Sequence, residues 1–389
     1  MIRLQTVVFL WIFASALSAA PVDFNRDIRP ILSNHCYQCH GPDANKRKAG
    51  LRLDEEQGSR SELKSGVHAV VPGDLKESEL VYRITTEDAD ERMPPKDFNK
   101  QLSENQVELL KAWVKQGGKY QKHWSFIAPQ KTQLPKVRQA KWPRNPIDYF
   151  VLNRLEKEGV KPSPEADKAT LLRRVSFDLT GLPPSPEVIA AFLSQPFEQS
   201  YPRLIDRLLA SPHYGERWGR HWLDVAGYAD SAGVLSEDRP LPLAWKYRDY
   251  VIRSFNEDKP YDQFLQEQIA GDELTDYWDA FENKKQLPTT VVDGVIATGF
   301  LRCAADSSRP DFSTIKNASS LYFYPTLNDT IHIVSSSVMG LTLQCARCHD
   351  HKFDPISQKD YYRIQAVFMG AYRPTDWIPQ MERRIVTAT

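Results

Sequence analysis

The chain is 389 residues long, with 50 basic and 50 acidic side chains and a formal charge of zero. That length exceeds one usual domain, so two or more cores are expected. The balanced charge, with no basic run longer than Lys46-Arg47-Lys48, argues against nucleic acid as a partner. Composition is that of a globular protein, and 27 prolines point to long, rigid, irregular connections.

Residues 1–20 open with Met1-Ile2-Arg3-Leu4, continue as an apolar run over 7–17 and close with Ser18-Ala19-Ala20 before Pro21. A short basic start, an apolar centre too short for a comfortable span and a small-residue exit form an export signal. The alternative is a buried N-terminal helix. No later stretch reaches the roughly 18 continuous apolar residues of a membrane helix. The mature protein is therefore expected to be soluble, periplasmic or otherwise extracytoplasmic, with no transmembrane span.

A first domain is expected over residues 21–125. Ile28, Ile31 and Leu32 fall at helical spacing and predict a short amphipathic helix over 24–33, leading into Cys36-Tyr37-Gln38-Cys39-His40. Two cysteines at i and i+3 followed by histidine form the haem c attachment pattern. Each thiol adds to one haem vinyl group, the two-residue gap matches the spacing of those vinyls, and the adjacent imidazole ligates iron. The pattern recurs as Cys345-Ala346-Arg347-Cys348-His349, so four of the five cysteines are used in this way. Redox dithiols or a four-cysteine zinc ribbon are the competing readings. Ribbon pairs usually lie roughly 15 to 20 residues apart, and neither alternative explains a histidine after both pairs. Cys303, left over, reads as a buried small hydrophobe.

Arg92-Met93-Pro94-Pro95-Lys96 puts a soft thioether in a proline-fixed loop, which suits Met93 as the distal ligand of the first haem opposite His40; a core-filling methionine is the alternative. Ser103 to Gln106 is a capping box, followed by Val107, Leu110, Trp113 and Val114 and stopped by Gly117-Gly118, which predicts a well-bounded helix. Helix, haem motif, Met-Pro loop and closing helix make the plan of a class I cytochrome c.

Residues 126–144 read as an irregular linker, part of a proline-, glutamine- and lysine-rich stretch from Lys122 to Arg144 that has Trp124, Phe126 and Trp142 as anchors. A larger α-rich domain with its own haem c is expected over 145–375, and a C-terminal tail over 376–389. Asn145-Pro146 starts a helix that Gly159 ends; another is stopped by Gly181-Leu182-Pro183-Pro184, and Ser185-Pro186 starts the next, with no sustained two-residue alternation. His221 lies between Trp218 and Trp222 and fits either a core residue or the distal ligand of the second haem opposite His349. Met339, Met369, His332 and His351 are further donors. His351, only two residues past His349, is poorly placed to reach the opposite face and reads as a surface or supporting group.

Phe24-Asn25-Arg26-Asp27-Ile28-Arg29-Pro30-Ile31-Leu32, the Cys-x-x-Cys-His-Gly of residues 36–41, Gly50-Leu51-Arg52-Leu53-Asp54, Val71-Pro72-Gly73-Asp74 and Arg92-Met93-Pro94-Pro95 together resemble the planctomycete cytochrome c domain. Gln268-Ile269-Ala270-Gly271-Asp272, Ala297-Thr298-Gly299-Phe300 and the run from Val338 through Cys345 to Arg363 resemble the second planctomycete cytochrome-type domain, a domain of unknown function. The resemblance implies an exported haem protein with the two domains in this order. Chains of that family commonly continue into a further large domain, whereas this one ends at Thr389; either a short member or a fragment is expected. The stretch from Leu321 to His332 lacks the family's acidic character.

These readings lead to an exported di-haem c-type cytochrome with two covalent haems, exchanging electrons with a redox protein. Cys36, Cys39, His40 and Met93 would serve one haem, and Cys345, Cys348, His349 and a further residue such as His221 the other. A di-haem dehydrogenase, oxidase or peroxidase with an open second iron, using acid and base groups such as Asp224, Asp230, Asp350 and Asp354, is the enzymatic alternative. A binding module stapled by its haems is the third.

Overall fold

A computed structural model describes residues 21–231, 238, 240–283, 286–306, 316–317, 319–373 and 377–378. The expected export signal and nearly all of the expected tail lie outside them. The described residues are mainly helical and contain no strand, only isolated bridges, and none of the helices is long and apolar enough to cross a membrane. Two compact units form: Met1–Pro129 with His349–Ile356, and Gln130–Cys348 with Ser357–Thr389.

In the first unit the chain makes a wide helical turn over Phe24–Ile28 and then α1, Arg29–His35. A single helix was expected here. Pro30 has no N–H to donate back to the preceding turn, so the regular α-helix begins with proline in its first turn, where no such bond is needed. α2 (Tyr37–His40), α3 (Glu56–Arg60), α4 (Glu79–Thr85) and α5 (Glu104–Lys115) follow. The capping box forms at α5: Ser103 accepts from the Gln106 amide, and Gln106 accepts from the Ser103 amide at 2.9 Å. Phe24, Ile28 and Leu32 pack with Leu110, Trp113 and Val114 in one core. There the Phe24 ring lies 5.7 Å from Trp113 and 4.5 Å from Tyr120, tying the start of the unit to its end.

The second unit carries α6 (Pro146–Lys157), α7 (Lys168–Thr180), α8 (Pro186–Leu193), α9 (Phe197–Leu209), α10 (Pro212–Ala226), α11 (Ala244–Asn256), α12 (Tyr261–Leu274), α13 (Tyr277–Asn283), α14 (Thr289–Ala297), α15 (Tyr324–Val338) and α16 (Gln358–Tyr372). Asn145 caps α6 with proline following it, Ser185 caps α8, and Gly181 ends α7 at φ +72°, a backbone setting glycine adopts without penalty. Gly215 and Gly219 on α10 let α11 approach closely; a Cβ on Gly215 would fall 2.3 Å from the Ile252 carbonyl oxygen. Trp222 Nε1 donates to the Tyr247 hydroxyl at 2.9 Å, and that hydroxyl donates to Gln268 Oε1 at 2.6 Å, a buried chain joining α10, α11 and α12.

Glu267 is a second tie between α11 and α12. It accepts from Tyr250 Oη at 2.5 Å, from Gln263 Nε2 at 2.8 Å and from Lys259 Nζ. Partial burial alone would raise its pKa, but the hydrogen bonds from Lys259, Tyr250 and Gln263 outweigh it and hold the carboxyl below its ordinary value. A depressed carboxyl stabilises the fold above its unfolded pKa, and that contribution is lost as pH falls through the folded value. Glu267→Gln is therefore expected to lower stability by about 1–2 kcal/mol at pH 7, with the gap to the parent closing below about pH 4. Urea unfolding at the two pH values checks this; an equal deficit at both would show that the carboxylate charge is not what matters.

Candidate haem attachment sites

The first motif is a helical turn locked by its own backbone. The Cys39 amide donates to the Cys36 carbonyl at 3.1 Å and the His40 amide to the same oxygen at 2.8 Å, so the two thiols stand one turn apart on the same side. Gly41 is required next: a Cβ there would lie 2.3 Å from the Tyr37 carbonyl oxygen. The turn is held from outside by the Lys48 amide on the Cys39 carbonyl at 2.7 Å and the Leu53 amide on the His40 carbonyl at 2.8 Å. Arg47 also caps the Gly41 and Pro42 carbonyls.

Burial pushes the Cys36 thiol up to about 12 and moves the His40 imidazole below its ordinary value. The His40 Nδ1 and the Tyr37 hydroxyl are both buried without a hydrogen-bond partner. A buried polar atom left unpaired costs about 1–3 kcal/mol, so a buried imidazole without its full set of partners suits a group that takes up a further ligand. Met93 is half-buried in the loop after α4, where its amide donates to the Arg83 carbonyl at 2.7 Å. Arg83 in turn binds Glu79 at 2.7 Å and the Glu91 carbonyl at 3.2 Å, which fixes residues 91–93 of the loop to α4. The donor set in this unit, two thiols, an imidazole and a thioether, fits haem c.

The second motif sits on a tighter turn, Gln344–Arg347, in which the Cys348 amide donates to the Cys345 carbonyl at 3.3 Å. Again the two thiols are one turn apart. Leu343 and Ala346 are buried beneath, while Cys345, Cys348 and His349 are exposed. α16 holds this turn: Gln358 Nε2 and Tyr362 Oη both donate to the Arg347 carbonyl, at 3.1 and 3.2 Å. α16 is pinned to α15 by Tyr361 Oη donating to Asn328 Oδ1 at 2.8 Å and by Thr330 with Tyr372 at 2.9 Å.

Beside Asn328 on α15, burial raises the Asp329 pKa against the opposing fields of His332 and Arg347. His332 Nδ1 is buried with no partner. His221 instead lies exposed on α10, its ring edge-on to Trp218 at 5.5 Å between centroids. Met339 is 49% exposed at the end of α15. The fifth cysteine, Cys303, is half-buried; burial pushes its thiol up to about 12, and it donates to the Gly299 carbonyl at 3.5 Å.

The loop after the second motif groups with the first unit. His123 and His351 are both buried there. The Ser125 amide reaches His123 Nδ1 at 3.4 Å, which leaves Nε2 to donate to Asp354 Oδ1 at 3.2 Å. Burial nonetheless pulls the His123 pKa below its ordinary value, with Asp354 opposing. His351 Nδ1 accepts from the Asp354 amide at 2.9 Å and the Phe353 amide at 3.3 Å. That nitrogen therefore carries no proton, and its 3.3 Å approach to the Asp354 carboxylate is proximity rather than an ion pair. His351, expected as a surface or supporting group, is buried and not at the surface. No local pattern in the sequence joins residue 123 to residue 354.

The family described as Planctomycete cytochrome C matches residues 36–97, a span that begins at the first motif and includes Met93, and a cytochrome c domain implies haem c. No curated protein and no solved structure matches the chain. The family described as Protein of unknown function (DUF1549) matches residues 146–372, more than half of the sequence, and the chain belongs to that family, preceded by its cytochrome c domain.

Proposed function

We propose that the protein is an exported di-haem c-type cytochrome that carries electrons between redox proteins. The supporting observation is that both Cys-x-x-Cys-His sequences form a turn closed by a hydrogen bond from the second cysteine's amide to the first cysteine's carbonyl, an α-helical turn at the first and a tighter one at the second. When bound, haem c supplies a one-electron ferric/ferrous couple tuned by its axial ligands and their surroundings. Cys36 and Cys39 would hold one haem, with His40 and Met93 as axial ligands. Cys345, Cys348 and His349 would hold the other. Its distal ligand is assigned to His332, whose buried Nδ1 has no partner, in preference to the exposed His221.

Haem quantitation and electron-spin resonance of the haem-loaded protein test this. Two covalent haems per chain and two low-spin signals are expected, with His332→Ala turning one high-spin and His221→Ala turning none. A single haem would sink the di-haem reading. A high-spin change in His221→Ala alone would return the distal role to His221. Met93→His should keep its haem low-spin but lower its potential, on the order of 100 mV within the ~0.8 V that axial ligands span. An unchanged potential would remove Met93 from the ligand set. The export reading expects the isolated protein to begin at Pro21, which terminal sequencing checks.

A further inference from the structure

The second unit contains a cavity of about 740 Å³ whose lining includes none of the residues named above as haem-holding. Its size is that of a small-molecule site. Two of the segments that carry the family resemblance meet in it: Asp272 closes Gln268-Ile269-Ala270-Gly271-Asp272, and Thr298 and Gly299 belong to Ala297-Thr298-Gly299-Phe300. α12 leaves helical geometry at Ala270, with φ −145° and ψ 31°, one residue before the close approach of Gly271 to Gly294. A helix broken and clamped in this way directly before a cavity-lining carboxylate is the kind of local irregularity that binding sites retain.

The lining has a definite chemical character. Leu241, Val295 and Ile296 give apolar walls, and the half-buried Tyr277 and exposed Trp278 give flat aromatic faces. Among the described residues the charged ones in the lining are Lys246, the exposed Arg302 and Asp272, an excess of one positive charge. Lys246 lies over Trp245 at 4.6 Å and Arg302 over Tyr372 at 4.4 Å. Among the described residues neither cation has a carboxylate within ion-pair distance, and the Asp272 carboxylate has no hydrogen-bond partner. Cys303 also lines the cavity, but its raised pKa keeps it a neutral wall.

We infer that this cavity binds an aromatic hydroxy acid: the ring between the apolar walls and aromatic faces, the carboxylate toward Lys246 and Arg302, and a hydroxyl donating to Asp272. Apolar walls favour an aromatic ring over a sugar acid, whose ring hydroxyls would be stranded against them. The excess positive charge favours an acid over an amine.

Calorimetric titration of the haem-loaded full chain with 3,4-dihydroxybenzoate tests this, with catechol, dopamine and glucuronate as comparisons. The acid should bind with a dissociation constant below about 1 mM and at least tenfold more tightly than the other three. Arg302→Gln and Lys246→Gln should each weaken it about tenfold, and Arg302→Lys should weaken it less than Arg302→Gln. Thermal midpoints of the variants establish that they remain folded. Absence of binding by the parent, equal or tighter binding of dopamine or glucuronate, or unchanged affinity in a folded Arg302→Gln/Lys246→Gln double variant would each overturn the assignment. Covalent haem content, measured in the same samples, reports on the cytochrome reading separately.

Discussion

Replacing Cys36 and Cys39 together by alanine is expected to leave one covalent haem per chain in place of two, halving the haem absorbance per protein. The reason lies in what holds the group at each site. Axial ligation alone is reversible, whereas two thioethers make loss of the haem a bond-breaking event. The consequence for the fold should differ between the two motifs. α2 is continuous with the core of the first unit through the buried Tyr37, and His40 Nδ1 and Tyr37 Oη are left there without partners, so the first unit should also lose thermal stability. Cys345 and Cys348 are exposed on a turn that α16 holds from behind. The Cys345→Ala/Cys348→Ala protein should accordingly halve its haem absorbance with the smaller change in unfolding temperature. Retention of both haems by either double variant after denaturation would mean that the thiols are not the attachment points. An equal fall in melting temperature for both would mean that burial at the first turn is not what couples haem to folding.

The attachment turns were legible because their chemistry is local: residues 36–40 and 345–349 carry every group the motif needs, and the backbone closes each turn within five positions. Capped helices were legible for the same reason. Ser103 with Gln106, Asn145 with Pro146, and Gly181 act on amides or dihedral angles no more than three residues away. The burial of the candidate distal donors was not, because whether His221 or His332 is buried depends on which helix face meets a neighbour, and residues of both faces alternate within α10 and α15. The bond from His123 to Asp354 was invisible for a stronger reason: it joins positions more than two hundred residues apart and carries no periodicity. The cavity was half visible. Its Asp272 and Gly299 fall in segments noticed as family-like, but Lys246, Arg302 and Trp278 come from three other places in the chain, and only folding gives them a shared surface.

Gly271→Ala is expected to destabilise the second unit by about 3 kcal/mol, near the upper end for overpacking a close contact. A Cβ on Gly271 would sit 2.3 Å from the Gly294 carbonyl oxygen, and one on Gly294 would sit 2.3 Å from the Gly271 carbonyl oxygen. Each glycine presents backbone to the other, so no side-chain rotation relieves the clash. The helices α12 and α14 must separate, and Thr275, which donates to the Gly271 carbonyl at 2.7 Å, must move with them. For a unit of this size that energy corresponds to a fall of about 6–12 °C in the unfolding midpoint. Gly370→Ala is the matched control: Gly370 lies within α16 and has nothing within 4 Å of a Cβ position, so there the change should stabilise by about 0.5–1 kcal/mol through helix propensity alone. Opposite signs for the same substitution would isolate the backbone contact as the cause. If both variants instead melted above the parent, α12 and α14 would have room to move apart, and the break at Ala270 would need a cause other than the Gly271–Gly294 approach.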